Sequence, residues 1–220
     1  MNAVVIGGHT RNIGKTSVMT ALIRAFVPLG WTAVKITQYG HGVCSIDGEP
    51  CECQPREHPF VLSEERDPQG RGDTCRYLAS GARRSLWLRV RQGQLGDAMP
   101  ALTEALADER WVMIESNSIL EYLTPMLYIV VLDGGHQDFK ASARRFLGRA
   151  DALVSIESDC DTRLWDSAIP ESLQTRPVFP VSRRDYASLE LCEFVGQRLT
   201  SVTPATHQGS AKGSMTSARR

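Results

Sequence analysis

The sequence predicts an α/β fold of three layers, a mostly parallel central sheet covered by helices on both faces. Two observations carry that expectation. Short apolar runs alternate along the chain with segments whose apolar residues recur at helical spacing, which is the pattern of strands joined by crossover helices. The first such run also passes through Gly7-Gly8 and a short loop directly into an amphipathic helix. With 220 residues, the chain suits one well-buried domain rather than two.

Taken in order, Ala3 to Ile6 reads as a buried strand closed by glycine. Val18, Leu22, Ile23 and Phe26 then repeat at helical spacing, so a helix is expected from Lys15 to Val27, stopped by Pro28-Leu29-Gly30. Thr32 to Ile36 is the second strand. Further strands are expected at Ser85 to Val90, Trp111 to Glu115, Leu127 to Leu132, Ala152 to Ile156 and Val178 to Val181. Helices are expected over 74–81, 95–108, 138–149 and 186–199. Residues 38–72 break the alternation: they are rich in Gly, Pro, Cys and charge and read as an insert within a domain of residues 1–200. Residues 201–220 contain no Asp or Glu and are crowded with Ser, Thr, Gly and Ala, a flexible tail.

Bulk charge narrows the partners. Twenty-five basic residues balance 25 acidic ones, so no net field draws the chain to nucleic acid or to an anionic membrane. No run approaches the roughly 20 apolar residues of a membrane span. Met1 to Ile6 lacks the basic start of a secretion signal. A cytoplasmic location with reduced cysteines is the expectation.

The most informative segment is Gly8-His9-Thr10-Arg11-Asn12-Ile13-Gly14-Lys15-Thr16-Ser17, between the first strand and first helix. Backbone N–H groups at such a junction, together with the helix dipole, favour an anion. Gly14 lets the backbone approach phosphates, Lys15 supplies a charge for the β- and γ-phosphates, and the Thr16 hydroxyl can join a Mg²⁺ shell. These are the marks of a phosphate-binding loop, or P-loop. The usual spacing is G-x4-G-K-[ST]; here it is G-x5-G-K-T, with His9 where that pattern has glycine.

The longer spacing resembles the dethiobiotin synthetase-like P-loop proteins, whose loop reads G-T-D-T-x-x-G-K-T. Gly30, Ala33 and Lys35 continue that likeness in the second strand. Val34 to His41, followed by Asp73-Thr74-Cys75-Arg76-Tyr77-Leu78-Ala79-Ser80-Gly81-Ala82, resembles the molybdopterin-guanine dinucleotide biosynthesis protein B family, with its D-S-x-x-x-x-x-A-G-A motif. Together the two likenesses cover about residues 3–90, with a weaker echo to 115. Both families belong to the SIMIBI class of P-loop NTPases, so the resemblance implies that fold, a nucleotide and Mg²⁺. It implies a cofactor-biosynthesis partner protein for the second family, and it leaves a homodimer open.

Carboxylates are expected near the phosphates. Glu115 ends an apolar strand, and ligands of open parallel sheets bind beyond the carboxyl ends of strands. A carboxylate there can hold Mg²⁺ or a water in its shell. Where both resembled families place Glu-Gly, this chain has Glu115-Ser116; the plainer reading of Glu115 to Ser118 is a capping loop. Asp73 reads either as a helix cap or as an acid that orients the attacking water, and Asp47 could play that second part. Asp133 ends another strand. Lys35 is costly to bury unpaired and either reaches the ligand or extends to solvent; in dethiobiotin synthetases the lysine of this strand touches substrate.

His41, Cys44, Cys51, Cys53 and His58, with Cys75 beyond, offer the soft ligands that Zn²⁺ prefers. Cys51-Glu52-Cys53 is C-x-C and lacks the C-x2-C of common zinc modules, so Cys44, Cys51, Cys53 and Cys75 are zinc candidates set against a flexible or partner-facing loop. Cys160 and Cys192 read as structural. No N-K-x-D-type guanine reader is present; Ser155 to Asp159 and Ser182 to Asp185 are the base-edge candidates, and ATP and GTP stay undecided. The residues assigned to nucleotide are Gly8, His9, Thr10, Asn12, Ile13, Gly14, Lys15, Thr16, Ser17 and Lys35. Thr16 and Glu115 are assigned to Mg²⁺, and Lys15, Asp73 and Glu115 to catalysis. The reading preferred is an accessory Mg²⁺-dependent nucleotide-binding protein with slow hydrolysis. An ATP-dependent small-molecule enzyme and a metal-delivery NTPase are the alternatives.

Overall fold

A computed structural model describes residues 1–40, 59–136, 138–157, 170 and 173–201. Among them the chain forms one eight-stranded sheet: β1 (Asn2–Gly8), β2 (Thr32–Tyr39), β3 (Phe60–Glu65), β4 (Arg84–Arg91), β5 (Trp111–Glu115), β6 (Leu127–Asp133), β7 (Ala152–Ile156) and β8 (Val178–Val181). Five α-helices accompany it: α1 (Lys15–Ala25), α2 (Asp73–Ala79), α3 (Leu95–Ala105), α4 (Ala141–Phe146) and α5 (Leu189–Thr200). The strand order is β3-β4-β2-β5-β1-β6-β7-β8. Every neighbouring pair is parallel except β3 with β4. The fold is the three-layer P-loop α/β architecture with a mostly parallel sheet.

Why these residues choose these elements follows from burial on two faces. β1, β5, β6 and β7 are almost wholly apolar because helices cover both sides of the sheet. On one side Val18, Leu22 and Ile23 of α1, Tyr77 of α2, and Leu191, Val195 and Leu199 of α5 pack against Val4, Ile6, Met113 and Ile129. On the other, Leu95, Ala98 and Leu102 of α3 and Phe146 of α4 pack against Val5, Val34, Ile114 and Val130. Trp31 and Trp111 meet edge-on, 5.8 Å between centroids, and brace the end of the sheet opposite the P-loop.

Most expected elements are present, and the departures have physical causes. Residues 60–65 form β3 inside the stretch read as an irregular insert. As an antiparallel edge strand it is only half-buried, so Phe60-Val61-Leu62-Ser63-Glu64-Glu65 shows no alternation to read. The region 138–149 is not one helix: Lys140 has an extended backbone, α4 covers only 141–146, and a tight 3-10 turn follows at 147–149. α1 likewise ends at Ala25 and yields to a 3-10 turn over Val27–Leu29, where Pro28 sits. α5 starts at Leu189 because the Ser188 side chain accepts from the Leu191 N–H and caps it. His41, Cys44, Asp47, Cys51, Cys53, His58, Cys160 and residues 202–220 lie outside the described residues, and with them most of the insert and the tail.

Candidate functional site

The register of the sheet builds the site. On β5, Glu115 pairs with Ile6 of β1 on one side and Lys35 of β2 on the other. β1 runs two residues further and opens into the loop, so Glu115 lies beneath the start of α1. The loop curls through two residues of positive φ, Asn12 at 56° and Gly14 at 93°, a conformation Asn and Gly adopt most readily. Gly14 has a second constraint: a Cβ there would stand 2.9 Å from the Tyr186 ring. The cleft around this loop holds about 940 Å³.

At its floor is a compact polar network. Thr16 Oγ1 donates to Glu115 Oε2 at 2.7 Å, and the Tyr77 hydroxyl donates to the same oxygen at 2.5 Å. Lys35 Nζ lies 2.5 Å from Glu115 Oε1 and 2.8 Å from Asp73 Oδ2. Arg76 pairs with Asp73 one turn back on α2 and reaches across to α1, donating to the Ser17 hydroxyl at 3.0 Å. Lys15 Nζ donates to the Thr10 carbonyl across its own loop, 2.6 Å away.

These contacts set the charge states. Burial would neutralise Glu115, which is only 4% exposed. The ammonium groups of Lys35 and Lys15 and the hydrogen bonds from Lys35 and Tyr77 overcome that and hold its carboxyl at about 2. For Lys35, burial is likewise opposed and outweighed by Glu115 and Asp73, so its value is raised. Lys15 goes the other way, since burial outweighs the pull of Glu115. Tyr77, buried beside Glu115, is pushed well above the ordinary tyrosine range and stays a donor.

Gly8, Thr10, Asn12, Ile13, Gly14, Lys15, Thr16, Ser17, Lys35, Asp73 and Glu115 all line this one cleft. His9, also assigned to nucleotide, is not among the residues that line it. Its side chain is wholly buried behind the loop. There Nδ1 meets the Asp138 carbonyl at 3.0 Å, Nε2 accepts from the Asp133 N–H at 3.1 Å, and the ring tilts against Phe139. Burial, despite the Asp138 contact, lowers it to about 4, so it is a neutral strut behind the loop. Asp133 is also structural, buried and paired with Arg183 at 2.6 Å.

Cys75 is turned from the cleft, its thiol on the Glu65 carboxylate at 3.1 Å. Burial and that carboxylate raise its value, which works against the thiolate a metal needs. Among the described residues no three His, Cys, Asp or Glu side chains are placed to hold a metal; the other zinc candidates lie outside them. Thr16 and Glu115 bring a hydroxyl and a carboxylate together, the hard oxygen donors that suit Mg²⁺.

Sequence reasoning missed Asn117, whose amide copies a strand. Its Oδ1 accepts from the Gly8 N–H at 3.0 Å and its Nδ2 donates to the Gly8 carbonyl at 2.8 Å. Gly7 is required beneath it, since a Cβ there would stand 2.1 Å from Asn117 Oδ1. The Glu-Ser-Asn-Ser run after β5 was the available signal. Tyr77 was hidden as one more apolar residue of a helix. Lys140, Arg183 and Tyr186 also line the cleft, from loops after β6 and β8.

No protein-family model matches this chain, and no curated protein does. Among solved structures the chain is similar to HypB from Helicobacter pylori in complex with nickel, with 16% identity and a TM-score of 0.47, over 92% of this chain and 90% of that one. It is also similar to LpxK from Aquifex aeolicus in complex with ATP, with 16% identity and a TM-score of 0.46. That match spans 82% of this chain and about half, 53%, of LpxK. Among the described residues no helix is long and apolar enough to cross a membrane.

Proposed function

We propose that this protein binds a nucleoside triphosphate with Mg²⁺ and hydrolyses it slowly, as an accessory protein to a partner enzyme of cofactor maturation. The observation that carries the reading is the convergence of Lys15, Thr16 and Glu115 at the loop between β1 and α1, with Thr16 and Glu115 in hydrogen-bond contact. Lys15 is held at the loop by a carbonyl that a phosphate oxygen can replace. It and the loop amides would neutralise the β- and γ-phosphates. Thr16 and Glu115 would hold Mg²⁺, which supplies charge neutralisation between those phosphates.

Slow turnover is supported by the state of Asp73. It is the acid proposed to position the attacking water, yet its Oδ2 is already engaged by Lys35 Nζ at 2.8 Å, which competes with a water for the same oxygen. The molybdopterin-type role rests on the Asp73 to Ala82 resemblance. A second reading, metal delivery, is favoured by one observation. β2, whose Lys35 to Gln38 line the cleft, ends and β3 begins at the same end of the sheet as the P-loop, and the sequence between them carries His41, Cys44, Cys51, Cys53 and His58. Zinc or nickel retained stoichiometrically through dialysis would select that reading.

The test is titration of the purified chain with MgATP and MgGTP, followed by phosphate release. Lys15→Ala should weaken binding at least tenfold, the loss of one charge-assisted contact of about 1.5–3 kcal/mol. Undiminished affinity in that variant would refute the phosphate site. Preference for GTP with slow release supports the accessory role, and preference for ATP with fast turnover moves the protein to the small-molecule enzymes.

A further inference from the structure

We infer that Lys140 is a second phosphate-binding lysine, entering the same cleft as Lys15 from the connection between β6 and α4. This inference rests on the nucleotide reading above and adds to it a group that no motif marks. Three observations place it there. The Lys140 N–H donates to the His9 carbonyl at 2.9 Å, tying its backbone to the start of the P-loop. Its side chain is half-buried and lines the cleft together with Lys15 and Arg11.

The third observation is what the other cations of the cleft do. Lys35 is paired with Asp73 and Glu115, Arg76 with Asp73, and Arg183 with Asp133. Among the described residues Lys140 makes no ion pair, and neither do Lys15 and Arg11. Three cations crowded at one loop, none of them within ion-pair distance of a carboxylate, repel each other, and the more distant Glu115 offsets this only in part. A polyanion relieves all three at once, and a triphosphate has the charge to do it. A lysine that merely covered apolar surface would extend its ammonium into solvent and would not feel its neighbours.

Lys140 does feel them. Burial first, then the charges of Lys15 and Arg11 in the loop and Lys35 on β2, lower it to about 7, with Glu115 on β5 opposing. The sign of the consequence is fixed. A bound polyanion raises the value again, so binding near pH 7.5 takes up a proton. The Lys140 contribution to affinity is complete below about 7 and is lost as pH rises through the elevated value of the complex. Lys15 is also lowered by burial, so proton uptake must be compared between variants, not read from one protein alone.

The experiment is calorimetric titration of the full chain with MgATP, MgGTP and inorganic tripolyphosphate at pH 7.5, in two buffers of different ionisation enthalpy. Three proteins are compared: the unaltered chain, Lys140→Met and Lys140→Arg. Lys140→Met should bind the nucleotide and tripolyphosphate at least tenfold more weakly and take up fewer protons. Lys140→Arg keeps the charge but cannot release its proton, so it should restore most of the affinity while still lacking that uptake. Lys140→Met affinity within twofold of the unaltered chain, or a loss seen with nucleotide but not tripolyphosphate, would overturn the inference and leave the P-loop reading intact. Lys140→Arg binding no better than Lys140→Met would also overturn it. If the unaltered chain bound none of the three, the nucleotide reading itself would fall, and this inference with it.

Discussion

Glu115 carries three donors on two oxygens: Thr16, Tyr77 and Lys35. A buried carboxylate survives ionised only on such terms, and the pairing makes a pH-dependent contribution to stability. Its carboxyl is lowered from 4.5 to about 2. The contribution is therefore fully present above about 4.5 and is lost as pH falls towards 2. Its size is on the order of 3 kcal/mol. Lys35, raised against its burial by Glu115 and Asp73, contributes at every pH below its ordinary value and loses that only in strong base. Urea unfolding at pH 5 and at pH 3 should thus show a steeper acid loss in the unaltered chain than in Glu115→Gln. Equal losses would mean that some other carboxylate governs the acid range. This residue could be singled out in the sequence because it ends an apolar strand, and ligands of open parallel sheets bind beyond such ends. Its partner Tyr77 could not be, since nothing in a helical Tyr says which way its hydroxyl points.

The elements that could be read were those whose pattern comes from their own burial. β1, β5, β6 and β7 are continuous apolar runs because two helical layers enclose them, and that signal is local. α3 was legible despite Pro100, because Leu95, Ala98 and Leu102 keep their spacing on the core side and packing outweighs one lost backbone bond. β3 was hidden for the opposite reason. An edge strand owes its conformation to its ladder with β4, and a ladder leaves no mark in its own sequence. Helix ends were displaced wherever a cap or turn decided them. Ser188 is such a cap, accepting from the Leu191 N–H at 3.3 Å, and it fixes where α5 begins. Ser188→Ala should cost about 1 kcal/mol, read as a lower urea midpoint with an unchanged m-value. No change in midpoint would mean that packing of Leu191, Val195 and Leu199 alone sets the start of α5.

At the scale of the molecule, the cleft gathers separate stretches of chain, among them the P-loop, the end of β2 with the start of α2, the end of β5, the β6–α4 connection, and the β8–α5 connection. The first three carried signals because their residues are tied to one motif and its strand register. The last two did not: Lys140 and Tyr186 approach the loop only once β6 and β8 are placed beside β1 and β7. That assembly makes a prediction about the whole fold. A ligand that binds only when all these stretches are in place stabilises them together, by about 2.7 kcal/mol at a hundred times its Kd. For a chain of this size that is a rise in Tm of roughly 5–10 °C. Hydrogen exchange should then show protection spreading from the P-loop to α2, where Asp73 and Arg76 stand, and to the β8–α5 connection, where Tyr186 lies over Gly14. MgATP or MgGTP that raised Tm while protecting the P-loop alone would show that the outer connections are bystanders. Protection in all three regions, absent in Lys15→Ala, is the expected result, because only a ligand seated at Lys15 reaches every wall at once.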